Sequence, residues 1–188
     1  MTGVLSEEMR IRAEQLVAGY PAPRSALMPL LYLVQAEEGH VTREGMQEVA
    51  EILGLTTAEV EAVATFYTML RKRPTGKWLI SVCTNVSCAL LGGRELYERA
   101  RELVGDGSDG STTDGEFTVE EVECLGACDA APVLQVNYCN YDRVSLESLK
   151  EMVERLRAGD IPEPSRGPKP VDHAATARIL SGLGDERA

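Results

Sequence analysis

Four of the five cysteines fall into two close pairs, Cys83 and Cys88 in CTNVSC and Cys124 and Cys128 in CLGAC. Between the pairs lie 35 residues, 89 to 123. Each pair follows directly on a run of strand character. KWLISV at 77–82 is mostly apolar, and FTVEEVE at 117–123 alternates as a half-exposed strand does. The segment 91–104 sets Leu96, Ala100 and Leu103 inward at helical spacing, so it reads as the connection between the strands. If the strands are parallel, that crossover is right-handed. Parallel strands end on one edge of the sheet, where such folds usually carry their sites. The four sulfurs then converge without long-range coincidence.

The compartment decides what thiols at that edge are for. The chain starts MTGVLSEEMR, with Glu7 and Glu8 where a secretory leader carries its apolar core. The longest apolar stretch, Ala26 to Val34, is far short of the roughly 18 residues that span a bilayer. A cytoplasmic protein without membrane insertion is expected, and there spaced cysteines are more often metal ligands or redox groups than structural disulfides. The net charge of −11 repels phosphate backbones and anionic headgroups, which excludes general nucleic-acid or membrane-surface binding.

Spacing alone leaves four chemistries open: a binuclear iron–sulfur cluster, structural zinc, a dithiol/disulfide couple, or unligated thiols. Structural zinc more often uses C-x2-C knuckles. A thioredoxin-like nucleophile advertises itself as C-x-x-C, which is absent. The plant-type C-x4-C-x2-C pattern fails because Leu90 and Leu91 occupy the places of a third early cysteine. A four-thiolate [2Fe–2S] centre carries about two negative charges when oxidised and about three when reduced, and it needs peptide N–H groups aimed at sulfur. The intervening Thr84, Asn85, Ser87, Gly126 and Ala127 are small or polar, and Gly126 can take backbone angles closed to other residues. A helix starting near Leu91 would turn its positive end toward the first pair. No acid lies between the cysteines of either pair; Glu123 and Asp129 flank the second.

The remaining candidates read more simply. Cys139 lies past a strand expected to carry it away from the cluster edge, and is taken as a bystander. His40 and His173 are isolated, in capping or surface roles. Phe66 and Tyr67 are expected in core or inter-helix packing, and Arg71-Lys72-Arg73 as charge at a helix C-terminus. No phosphate loop, Ser/His/Asp set or acid–base pair is found, so no substrate turnover is expected on this chain.

Before the cysteines the periodicity is helical. Helices are expected over 7–18, 25–38 with Pro29 in the first turn, from Thr42 to Leu53, and from Thr56 or Thr57 to about Arg71. Arg73-Pro74-Thr75-Gly76 breaks this pattern. Residues 105–116 hold four glycines and four acids without a base, which predicts a solvated, mobile loop. VLQV after Pro132 is a third strand, Tyr141 to Val144 a candidate fourth, and Leu146 to about residue 158 a closing helix. The expected class is α+β: a helical bundle over 1–75, a small α/β domain over 76–160, and an extended or disordered tail over 161–188 with a helical turn near 174–180.

Through TFY at Thr65–Tyr67, CTNVSC and CLGACDAAP, residues 5 to 158 resemble the thioredoxin-like [2Fe–2S] ferredoxin family that supplies one of the peripheral-arm subunits of bacterial respiratory complex I, NADH:quinone oxidoreductase. The resemblance implies a thioredoxin-like second domain and one [2Fe–2S] cluster held by Cys83, Cys88, Cys124 and Cys128. It implies an electron-transfer role in the peripheral arm, at the inner face of the cell membrane. There the chain would pack on a flavoprotein subunit that binds NADH and FMN, with other iron–sulfur subunits nearby and the helical region as docking surface. Similar chains serve NAD-linked formate dehydrogenases and NAD(P)-reducing hydrogenases. The alternative of another class is a zinc-stabilised assembly module.

Overall fold

The computed structural model describes residues 3–105, 107 and 110–183. They form two compact units, one of residues up to 74 together with those from 174, the other of 75–173.

The first unit is helical. α1 (Glu7–Ala18) is capped by the Ser6 hydroxyl, which accepts from the Met9 N–H. A 3-10 turn over Pro23–Ala26 precedes α2 (Leu27–Glu38), so the helix expected from residue 25 starts two residues later, with Pro29 in its first turn. α2 buries an unbroken run from Leu30 to Gln35 and is the centre of this core. α3 (Arg43–Leu53) is capped by Thr42, and α4 (Thr57–Phe66) by a reciprocal Thr56/Glu59 box.

α4 ends at Phe66, five residues before the expected Arg71. The reason is a polar anchor. Buried Gln35 donates to the Met69 carbonyl at 3.2 Å and accepts from the Arg71 N–H at 2.7 Å, while the Val41 N–H reaches the Arg71 carbonyl at 2.6 Å. Leu70 is thereby buried, and Arg71–Arg73 lie in a connection rather than a last helical turn. Phe66 and Tyr67, expected inside, are exposed, stacked edge to face at 5.0 Å.

The second unit is a four-stranded sheet in the order β2-β1-β3-β4. β1 (Trp78–Cys83) runs parallel to β2 (Phe117–Val122), in register from Trp78 opposite Phe117 to Cys83 opposite Val122. β3 (Leu134–Val136) runs antiparallel to β1, and β4 (Cys139–Tyr141) antiparallel to β3. β1 is buried along its whole length, which suits a central strand reading as a continuous apolar run. Trp78, Ile80 and Val82 pack with helix residues Leu96, Ala100, Leu149 and Leu156. Those helices follow α5 (Val86–Leu90), a short element that periodicity did not predict, and are α6 (Gly93–Val104) and α7 (Leu146–Arg157).

Three expectations need correction. β4 lies at Cys139–Tyr141 rather than 141–144, because Asn137 and Tyr138 both take positive φ (44° and 70°) and turn the hairpin in two residues. The acidic segment is not free in its described part. Thr112 N–H bonds the Phe117 carbonyl at 2.9 Å and Val119 N–H the Gly110 carbonyl at 2.8 Å, so the segment folds back on β2; residues 106, 108 and 109 lie outside the described residues. His173 is buried, and it opens α8 (His173–Leu180). Before it, the stretch after α7 is tied down by Tyr141, whose hydroxyl donates to the Pro162 carbonyl at 2.8 Å, and by Asn137, whose amide donates to the Lys77 and Val171 carbonyls. Among the described residues no helix is long and apolar enough to cross a membrane.

Candidate metal centre

The parallel register decides where the cysteines go. Cys83 is the last residue of β1, and the Thr84 N–H still bonds the Val122 carbonyl at 3.1 Å. β2 therefore ends level with β1, and Cys124 follows two residues on. Cys88 comes back to Cys83 on α5, whose first turn is set by Asn85 accepting the Val86 N–H at 2.8 Å. Cys128 opens the short 3-10 turn Cys128–Ala130.

Within each pair the thiols meet. Cys124 Sγ and Cys128 Sγ are 3.3 Å apart, and the Cys83 and Cys88 thiols, buried in one cluster, lie close enough for Cys83 to push the Cys88 thiol up. Between the pairs, Cys128 lies within electrostatic reach of both Cys83 and Cys88. The two loops also share one apolar cluster, in which Cys83, Cys88, Ala127 and Val133 are buried and Leu125 and Ala131 pack alongside. Among the described residues no group of three His, Cys, Asp or Glu closes around a single ion. The sulfurs stand as two neighbouring pairs, one buried and one exposed.

Their electrostatics follow from that asymmetry. Burial pushes the Cys88 thiol up to about 11, opposed by a hydrogen bond from the Val133 backbone that favours the thiolate. The Gly126 N–H, 3.4 Å from Cys124 Sγ, and the Cys128 thiol hold Cys124 below the usual range, against a small opposing push from Glu123. Cys128 is raised as the proton-bearing partner of Cys124, and the Ser87 hydroxyl partly offsets this. Gly126 reaches its position through φ +73°.

Sequence reasoning missed three contributors. Ser87 was noted only as small and polar, and Val133 only as strand. Gly93, the first residue of α6, was not singled out at all: a Cβ there would lie 2.6 Å from the Cys83 carbonyl oxygen and 2.9 Å from the Cys88 carbonyl group. The adjacent glycines at 92 and 93 were the available signal for so close a helix start. Cys139 stands apart. It is paired with Val136, two register steps along β3 from Leu134, which faces Val82 near the cysteine edge. Burial raises its thiol.

An all-sulfur donor set in two pairs, with apolar side chains such as Ala127 and Val133 around the buried pair and a backbone N–H at Cys124, fits a binuclear iron–sulfur group. Comparison with known proteins agrees. The chain matches the thioredoxin-like [2Fe-2S] ferredoxin family over residues 13–157. It is 46% identical over 179 residues to the E-type chain of the NADH-quinone oxidoreductase of Mycobacterium tuberculosis, covering 95% of this chain and 71% of that protein. It is 44% identical over 149 residues to NADH-quinone oxidoreductase subunit 2 of Thermus thermophilus, covering 78% and 82%. The fold superposes on a crystal structure of an NAD+-reducing [NiFe]-hydrogenase in the air-oxidized state, with TM-score 0.62 and 19% identity over 71% of this chain and 23% of the hydrogenase chain. The chain belongs to the thioredoxin-like [2Fe–2S] ferredoxin family, with these NADH-quinone oxidoreductase subunits as its relatives.

Proposed function

We propose that this chain is the electron-transfer subunit of an NADH:quinone oxidoreductase, with Cys83, Cys88, Cys124 and Cys128 holding one [2Fe–2S] cluster. The observation that carries the reading is the level ending of β1 and β2, which brings two thiol pairs to one edge and packs their loops together. When bound, such a group supplies a one-electron carrier. The chain's own residues divide the remaining work. Ala127 and Val133 exclude water on the side of Cys83 and Cys88. The Gly126 and Val133 backbones favour negative charge on Cys124 and Cys88. Cys124 and Cys128 form the exposed edge through which an electron can pass.

The partner in this reading is a flavoprotein subunit that binds NADH and FMN, and the electron is exchanged with FMN. The complex is peripheral, on the cytoplasmic face of the membrane, with further iron–sulfur subunits in the same arm; nucleotide turnover resides on the partner.

Anaerobic purification tests the cofactor: two irons and two acid-labile sulfides per chain are expected, with a visible absorption that dithionite partly bleaches. A colourless chain holding one zinc overturns the reading. For the exchange step, mixing the chain with its flavoprotein partner, one reduced and the other oxidised, should change the flavin absorption. A flavin indifferent to the chain's redox state rules out FMN as the immediate partner.

A further inference from the structure

The two thiol pairs differ in what can reach them. Cys83 and Cys88 are each 3% exposed and lie in the apolar cluster with Ala127 and Val133. Cys124 and Cys128 are exposed, with their sulfurs 3.3 Å apart. A covalent S–S bond is roughly 2 Å long, so joining them takes a movement of about 0.6 Å by each sulfur. The connecting loop has room to give. Gly126 at its centre takes φ +73° with nothing within 4 Å of the position a Cβ would occupy, and its N–H donates to Cys124 Sγ at 3.4 Å. Thiol exchange needs access to the attacking sulfur, so a small disulfide can react with this pair and is shut out from the buried one. Cys139 is half-buried, and its partner across the strands, Val136, offers no second thiol.

We propose that Cys124 and Cys128 are a redox modification site: before a cluster is loaded they close to a disulfide by exchange with a low-molecular-weight disulfide, and in that form the chain accepts no cluster. The inference rests on the functional reading above for the ligand set and adds a gate on its loading. Either thiol opens the exchange by forming a mixed disulfide, and its neighbour resolves it. Overall, the Cys124–Cys128 S–S bond forms and the S–S bond of the small disulfide breaks. Two electrons and both thiol protons pass from the cysteines to the leaving sulfurs, which depart as two free thiols. The new bond withdraws two of the four sulfur donors while Cys83 and Cys88 stay reduced. An exposed bond in so short a loop is of the labile kind, so a dithiol reductant reopens the site. The chain is thus loadable under reducing conditions and closed under oxidising ones.

Disulfide mapping of the full chain tests this. The chain is stripped of iron with a chelator, reduced, incubated with oxidised glutathione, unfolded and alkylated, and its bonds are read by mass spectrometry. Cys124 joined to Cys128, with Cys83, Cys88 and Cys139 alkylated, is expected. A bond between Cys83 and Cys88, a bond across the two pairs, a stable glutathione adduct on Cys124 or Cys128 of the parent chain, or five free thiols overturns the site. Cys128→Ser removes the resolving thiol and should hold one glutathione on Cys124; no adduct there overturns the exchange route. Loading with ferrous iron and sulfide reads the gate. The oxidised chain should take up at least about tenfold less iron than the reduced chain and recover on adding dithiothreitol. Equal loading of the two forms overturns the gate alone, and so does an oxidised chain that has lost its far-ultraviolet helical signal. A reduced chain that builds no cluster overturns the functional reading, while the mapped bond still decides the modification site.

Discussion

Replacing Gly93 by Ala separates two opposite expectations. On helix propensity alone the change is favourable, by up to about 1 kcal/mol in a helix interior and less at a first helical position. The structure predicts the reverse sign. The added Cβ would sit 2.6 Å from the Cys83 carbonyl oxygen and 2.9 Å from both the carbon and oxygen of the Cys88 carbonyl. Ordinary contact begins at 3.4 Å, so the closest approach is short by about 0.8 Å. The atoms met are backbone, and no rotamer change relieves them. Either the start of α6 lifts, or Cys83 and Cys88 are pushed apart. Overpacking of this kind costs about 1–3 kcal/mol, which exceeds the propensity gain. Urea unfolding of the iron-loaded chain, with iron counted before and after exchange into chelator, reads both effects. A lower midpoint and faster iron loss are expected. An unchanged or raised midpoint with full iron retention would falsify the claim that the α6 start abuts the cysteine segment.

Further outcomes concern the ligands, a helix cap and the polar anchor of the helical unit. Ser at 83, 88, 124 or 128 should abolish or strongly perturb the paramagnetic signal of the reduced chain, and Cys139→Ser should leave it unchanged; bleaching by Cys139→Ser alone means the ligand set is wrong. Glu59 is held down at about 2 by the Thr56 N–H, the Arg24 guanidinium and the Thr56 hydroxyl. Its folded pKa lies below the unfolded value of about 4.5, so the stabilisation is complete above that pH and is lost as pH falls toward 2. Glu59→Gln should therefore flatten the fall in helical thermal midpoint across this window; an unaltered slope refutes the assignment. Gln35→Leu leaves the Met69 carbonyl and Arg71 N–H without the bonds Gln35 supplies and should cost about 2–4 kcal/mol in unfolding free energy. A cost below about 0.5 kcal/mol would mean water or backbone shifts replace them.

The fold class and the cysteine edge were legible because both rest on local patterns. Leu30, Leu31 and Val34 announce α2 by spacing, and the apolar run ending at Val82 announces a buried strand. What failed depended on contacts distant in sequence. Nothing near residues 66–71 says that α4 stops at Phe66, because the group that ends it is Gln35, across the helical unit. The acidic segment reads as solvated by composition, yet Gly110 and Thr112 bond to β2. The β3–β4 turn was hidden because Asn-Tyr lacks the glycine that usually marks positive φ at both positions. His173 looked isolated because its neighbour, Tyr138, lies 35 residues away.

Residue order by itself determined the thiol spacing, the strands that precede each pair and the helical character of the first seventy residues. These follow from periodicity and backbone preference, which act over a few neighbours. Tertiary structure decided that one pair is buried and the other exposed, that Gly93 allows α6 to start against the Cys83 and Cys88 carbonyls, and that α5 leaves its leucines in solvent. Burial, desolvation and close approach are properties of what surrounds a residue. Those surroundings exist only once β1 and β2 have paired and the loops beyond them have packed together.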